Sequence, residues 1–285
     1  MKTLGVVANC EKPRAAEVLK RLQEAARRGG LELLPEEATC KLMGVPSPGH
    51  WNGLLSRVEA LLVLGGDGTM LRAVRELEGR EMPLMGVNLG SLGFLTSVTE
   101  DRLERAVDCL ASGDYCTSER TLIECRTVRQ GQIVEHHKVL NDIVITAIRP
   151  RVATLRMAVN GEEVGDFVCD GLIVSTPTGS TGHSLSAGGP VLLPKARVFV
   201  VSLICPHTLS TRPLVVPDDA RIEIWMAGRS SGATLAADGQ VTHPLAPGET
   251  VEIEKSPRAV KLIHLPGYSH FAVLRQKLHW RGSNV

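Results

Sequence analysis

The sequence predicts an α/β N-terminal domain with a parallel sheet, followed by a β-rich C-terminal domain, with the C-terminal tail returning to the first. Three observations carry this. Apolar β-branched runs alternate with helical periodicity up to about Tyr115. Short strand runs separated by turn signals then extend to Ser256 with few long helical patterns. The tail "YSHFAVLRQKLHW" resumes a helical pattern. The expected domains are 1–115 (with 257–285 packing back on it) and 116–256.

In chain order, "TLGVVAN" reads as a buried strand. "PRAAEVLKRLQEAARRGG" reads as a helix: Pro13 suits a first turn and Gly29-Gly30 can stop it. "LELLPEEATC" is expected to be a strand and then a loop, and "VEALLVLG" a third strand. Thr69 to Leu77 is expected as a helix. "MPLMGVNLGSLGFL" supplies a fourth strand and a glycine-rich loop, and "EDRLERAVDCLASGD" a helix closed by Gly113. Such βαβ alternation places helices on both faces of a parallel sheet. In the second part, Asn160-Gly161 is a hairpin signal, and Asp238-Gly239-Gln240 reads as a hairpin turn.

The totals exclude several classes. The 285 residues carry 32 basic and 31 acidic side chains, a net charge of +1. That balance speaks against a nucleic-acid partner or a membrane surface. Aromatics are 3%, too few for base-stacking platforms. Seven cysteines without C-x-x-C spacing speak against a disulfide framework or zinc site and for reduced thiols in a cytoplasmic protein. No run approaches the roughly 18 apolar residues of a membrane span.

Chemistry concentrates in three stretches. In "LLVLGGDGTMLRA", Asp67 stands among glycines between a strand and a helix. Glycines admit close ligand approach, and helix-start amides face anions. A carboxylate there suits Mg²⁺ held against polyphosphate oxygens, or a base accepting a proton from an attacking hydroxyl. The plain alternative is a turn in which Asp67 caps the helix. Arg72, five residues on, can project to the same crevice. "GVNLGSLGFL" follows the next strand and should end at the same edge of the sheet; Phe94 within it is a core or base-stacking residue. "DGLIVSTPTGSTGHSLSAGGP" runs a strand into Thr178, Gly179, Ser180, Thr181, Gly182, His183, Ser184 and Ser186, whose small polar groups suit sugar hydroxyls and a base edge. Asn141-Asp142 interrupts the apolar run "VLNDIVI", where a carboxylate is costly unless paired or used.

Together "GGDGTMLRA", "NLGSLGFL", "LNDIVI", "DGLIVSTPTGSTGHSLSAGGP", "ICPHTLSTRPLVV" and "DGQ" resemble the NAD kinase family in order and spacing over essentially the whole chain. G-G-D-G is shared with 6-phosphofructokinases and diacylglycerol-type lipid kinases; the T-P-T-G-S-T segment is far more specific. The resemblance implies phosphoryl transfer from ATP or inorganic polyphosphate to the adenosine-ribose 2′-hydroxyl of NAD, with Mg²⁺ or another divalent cation, in a homodimer or homotetramer. It implies Asp67 as proton acceptor, and Gly68 and Arg72 lining the nucleotide site. It sets Phe94 near the adenine, Asn141 and Asp142 on ribose hydroxyls and Asp170 near the nicotinamide end. Thr178 lies in the specific segment; Thr181, Gly182, His183, Ser184, Leu185 and Ser186 match a loop wrapping the dinucleotide, and Gln240 a late contact. Two departures stand out: Thr181-Gly182-His183 replaces the family's usual Thr-Ala-Tyr, and Asp142 its usual Glu. The competing expectations are a lipid or sugar kinase of the G-G-D-G group and a non-catalytic dinucleotide sensor.

Overall fold

The structure, a computed structural model, describes residues 1–47, 49–90, 93–148, 152–208, 210–228 and 232–280. Ser91 and Leu92 of the second glycine-rich stretch, and Leu209, lie outside the described residues. The chain forms two compact units, Met1–Glu119 with Val260–Val285, and Arg120–Ala259.

The first unit runs β1 (Thr3–Ala8), α1 (Ala15–Gly29), β2 (Glu32–Pro35), α2 (Glu37–Met43), α3 (Trp51–Leu55), β3 (Ala60–Gly65), α4 (Asp67–Glu76), β4 (Leu84–Asn88), β5 (Val98–Thr99) and α5 (Leu103–Ser112). The strands are parallel in the order β2-β1-β3-β4, with β5 beside the end of β4. Every residue of β3 is buried, as a parallel strand covered on both faces requires. Ala60, Leu62 and Leu64 enter one core with Val18, Leu22 and Val107 of α1 and α5; Leu61 and Val63, equally buried, alternate to the opposite face. Helix α1 ends at Gly30, whose left-handed φ of 67° lets its N–H reach the carbonyls of Ala26 and Arg27.

Two local expectations are corrected. The segment after β2 is the helix α2 rather than a loop, because the Glu36 carboxylate accepts the Ala38 N–H at 2.9 Å and caps it. Helix α4 starts at Asp67, two residues earlier than expected, with Gly66 as its N-cap.

The second unit continues with β6 (Cys116–Arg129), β7 (Gln132–Val139), β8 (Asp142–Ala147), β9 (Ala153–Val159), β10 (Glu162–Cys169), β11 (Gly171–Ser175), α6 (His183–Ser186), β12 (Val198–Ile204), β13 (Leu214–Pro217), β14 (Ile222–Met226), β15 (Ala233–Ala237), β16 (Val241–Leu245) and β17 (Glu249–His264). Strands β6 and β17 each run from one unit into the other. One antiparallel sheet has the order β13-β12-β11-β8-β15-β16; β10-β9-β14-β17 is a second antiparallel set. Ile143, Leu172, Phe199 and Leu235 of the first share one core with Leu155, Ile222 and Val251 of the second. Both expected hairpin turns form. Val159 pairs with Glu162 across Asn160 (φ 53°) and Gly161 (φ 80°), and Ala237 with Val241 across Asp238 (φ 50°) and Gly239 (φ 64°). After β17, Leu262 lies parallel to Leu84 of β4, and helix α7 (His270–Lys277) belongs to the first unit.

Candidate active site

In the first unit the site grows from the carboxyl ends of β1, β3 and β4, which share one edge of the sheet. Asp67 follows β3 there. Its side chain does not cap α4. Instead Oδ2 accepts the Phe94 N–H at 2.9 Å and Oδ1 the Leu95 N–H at 3.0 Å, both from the connection after β4. Each carboxylate oxygen keeps a lone pair for another donor. Two of the glycines serve space rather than positive φ: Gly65 and Gly93 both lie outside the left-handed region. A Cβ on Gly65 would stand 2.3 Å from Thr69 Oγ1, and one on Gly93 1.9 Å from Asp67 Oδ1. The sequence therefore places two glycine loops in contact, one carrying the acid and the other supplying its donors.

Gly68 is exposed at the start of α4. Arg72, one turn further, reaches the same edge but is engaged there. Its Nη2 lies 3.4 Å from the Ala8 carbonyl at the end of β1 and 3.3 Å from Glu36 Oε1. Glu36, 5% exposed, also accepts the Thr39 hydroxyl at 3.1 Å, and Thr39 accepts the Ala8 N–H at 2.9 Å. Sequence reasoning missed Glu36; the signal was an acid directly after a strand at the edge where the loops converge.

In the second unit Asn141 and Asp142 lie at the junction of β7 and β8. The Asp238 carboxylate accepts three successive backbone donors: Leu140 N–H (3.0 Å), Asn141 N–H (2.6 Å) and Asp142 N–H (3.2 Å). Read from the sequence as a turn and no more, Asp238 is in fact the anchor of this pair. Asn141 Oδ1 is buried without a hydrogen-bond partner. Asp142 is 6% exposed, and burial, reinforced by the neighbouring Asp238 charge, pushes its carboxyl up to about 7. At neutral pH it therefore populates both forms and can donate as well as accept.

The hydroxyl-rich segment is a tight turn, 3₁₀ over Gly179–Thr181 followed by α6, rather than an open loop. Many of its hydroxyls build it. Thr176 Oγ1 donates to Leu140 O at 2.6 Å and Ser175 Oγ to Asn141 O at 3.3 Å. Ser180 Oγ donates to Pro177 O at 2.7 Å, and Ser184 Oγ sits 3.1 Å from Ser202 Oγ. Gly179 rests on Asn141 so closely that a Cβ would stand 2.2 Å from its carbonyl oxygen. The buried Thr178 Oγ1 has no hydrogen-bond partner, so it and Asn141 Oδ1 are groups that a bound ligand would satisfy. Thr181 Oγ1 lies 3.4 Å from Thr178 O, Leu185 is half-buried, and Gly182, His183 and Ser186 are exposed. Gln240 is exposed at the end of the Asp238 turn. Asp170 stands apart from this group. It precedes β11 at the end opposite Ser175, which pairs with Asp142, so the length of the strand separates it from Asn141-Asp142, about 16 Å at 3.3 Å per residue.

The Asp142 shift has a measurable consequence. A carboxyl raised on folding keeps a proton that the unfolded chain releases, so between pH about 4 and about 7 the native state binds more protons and stability falls as pH rises. Asp142→Asn removes that dependence. The Tm difference, variant minus wild type, should grow by a few degrees from pH 5 to pH 8 in calorimetry; parallel Tm profiles would show that Asp142 ionises normally.

The first unit thus carries an acid among glycines at the carboxyl edge of its parallel sheet, and the second holds buried polar atoms without hydrogen-bond partners. Residues 54–115 match the family model described as the ATP-NAD kinase N-terminal domain, and residues 140–265 the ATP-NAD kinase C-terminal domain. The chain is 40% identical over 282 residues to the NAD kinase of Syntrophotalea carbinolica, covering 98% of this chain and 99% of that one. It is 38% identical to that of Heliobacterium modesticaldum, with the same coverage. Among solved structures, an Archaeoglobus fulgidus NAD kinase in complex with ATP superposes with a TM-score of 0.76 at 27% identity, covering 98% of this chain and all of that one. Yeast NADH kinase complexed with NADH superposes at 0.91, covering 100% of this chain and 89% of that one; at 21% identity that likeness shows the fold. The chain belongs to the NAD kinase family.

Proposed function

We propose that the chain transfers a phosphoryl group from ATP or inorganic polyphosphate to the 2′-hydroxyl of the adenosine ribose of NAD, forming NADP, with Asp67 as proton acceptor. The observation that carries this is the setting of Asp67, whose carboxylate is aimed by two backbone amides and keeps a lone pair on each oxygen. Phosphoryl transfer asks a protein for positioning and charge stabilisation more than for covalent chemistry. Asp67 orients the hydroxyl and takes its proton late, as the bond to phosphorus forms. Asn141 and Asp142, fixed by Asp238, are assigned to ribose hydroxyls, with Thr178 as a further polar contact.

Among the described residues no group of three or more His, Cys, Asp or Glu side chains is arranged to hold a metal. Mg²⁺ is commonly held by one or two carboxylates together with substrate phosphates and water. Here the polyphosphate oxygens of the substrate and water would hold it, and the cation would spread their charge, with Asp67 kept as the proton acceptor. The reading extends to a cytoplasmic homo-oligomer. Among the described residues no helix is long and apolar enough to cross a membrane.

The test is a coupled assay of the purified protein with a divalent cation, each donor in turn, and NAD, diacylglycerol or fructose 6-phosphate as acceptor. NADP should form with NAD alone. Phosphorylation of either other acceptor in its place would move the chain to another branch of the G-G-D-G group, and NAD binding without NADP would make it a sensor.

A further inference from the structure

The C-terminal stretch from His264 to the end of helix α7 is tied to the connection between β4 and β5 at two places, and this connection is the one that aims Asp67. The first tie is at Ser97. Its Oγ lies 3.0 Å from Nδ1 of the buried His264, whose Nε2 lies 2.7 Å from Ser118 Oγ. Tyr268, just ahead of α7, stacks on the His264 ring at 3.8 Å with 8° between the planes. Val273 and Leu274 then bury one side of α7, and the Ser269 hydroxyl caps its start by accepting the Ala272 N–H at 3.3 Å. The second tie is at Phe94. The Lys277 ammonium, in the last turn of α7, sits 5.8 Å from the centroid of the Phe94 ring. Among the described residues Lys277 has no carboxylate partner, so the ring is the contact that holds it.

We infer that Lys277 is a positioning residue for the reaction: its ammonium holds the Phe94 ring, and through it the Phe94 and Leu95 amides, in the setting that aims the Asp67 carboxylate. The chain of contacts is short. A cation over an aromatic face is attracted by the ring quadrupole. The ring belongs to the residue whose N–H bonds Asp67 Oδ2 at 2.9 Å, and the next N–H bonds Oδ1. Losing the cation leaves the amides in place but lets the segment open more often. At a partly exposed site a cation–π contact changes such an opening equilibrium about two- to five-fold. The inference rests on the role given to Asp67 above.

The test compares the full-length wild type with Lys277→Met, which keeps the stem and removes the charge, and Lys277→Arg, which keeps a cation for the ring. Two readouts are needed: hydrogen exchange of the Phe94 and Leu95 amides in substrate-free protein, and kcat and KM for NAD. Lys277→Met should exchange about two- to five-fold faster at both amides and show a lower kcat, by at most that factor, with KM for NAD within about twofold. Lys277→Arg should match the wild type in both. Unchanged exchange in Lys277→Met overturns the inference, as does an arginine variant that behaves like the methionine one. Faster exchange with unchanged kcat reduces the contact to a structural clamp and overturns the positioning role. A wild type that makes no NADP while the exchange pattern holds overturns the function proposed above and leaves the clamp standing.

Discussion

Asp67→Asn should bind NAD within severalfold of the wild type and turn over about 10²-fold more slowly or worse, the range of general-base removal. The carboxamide keeps the size and position of the carboxylate but takes up no proton from the ribose hydroxyl. The structure adds a second consequence. Both oxygens of Asp67 accept a backbone N–H, so an amide must point its NH₂ at one of these donors. A donor left without an acceptor costs about 1–3 kcal/mol. The variant should therefore melt a few degrees lower and still fold cooperatively. Binding by calorimetry together with steady-state NADP formation separates the two effects. Turnover near wild type with NAD bound would remove Asp67 from the chemistry.

Gly93→Ala is expected to have the next largest effect, although it adds one methyl group to a residue assigned no chemical role. The added Cβ would lie 1.9 Å from Asp67 Oδ1, 2.6 Å from its Cγ and 2.6 Å from Thr96 Oγ1. The backbone at Gly93 is outside the left-handed region, so alanine can adopt it; only room is lacking. Asp67 is a short side chain and can yield only by rotating away from the two amides. A misplacement of about 1 Å in a reacting group can lower turnover about 10²-fold, and that is the expected loss in kcat. Overpacking of this kind costs about 1–3 kcal/mol. Gly90→Ala, in the same connection but with nothing within 4 Å of the added methyl, should stay close to wild type in Tm and kcat. Equal losses in the two variants would show that the connection as a whole, and not the Asp67 contact, is sensitive.

Much of the fold was legible because its signals are local. The buried run Ala60–Gly65, the Asn160-Gly161 and Asp238-Gly239 turns, and the glycine stops after α1 and α5 each follow from a few adjacent residues. The segment after β2 was misread because its helix depends on a glutamate cap, and Glu36-Glu37 looks the same in a loop as in a capped helix. The site was legible as residue types and less so as roles. Serine and threonine at 175–184 promised ligand contacts, yet Ser175, Thr176, Ser180 and Ser184 are fully buried and bonded within the protein, leaving Thr178 as the buried hydroxyl without a partner. The sequence sets Arg72 within reach of the crevice; in the structure Glu36, distant in sequence, holds it.

The sequence by itself determined the α/β and β-rich halves, the position of Asp67 after a strand and the family, because periodicity, turn chemistry and motif order are properties of neighbouring residues. Only the tertiary structure decided that the Phe94 and Leu95 amides hold Asp67, that Asp238 anchors Asn141-Asp142, and that Lys277 reaches Phe94. Each of these contacts joins residues 27 to 183 positions apart, and the hydrogen bonds among them run to backbone N–H groups, which every residue but proline carries and no one-letter code distinguishes.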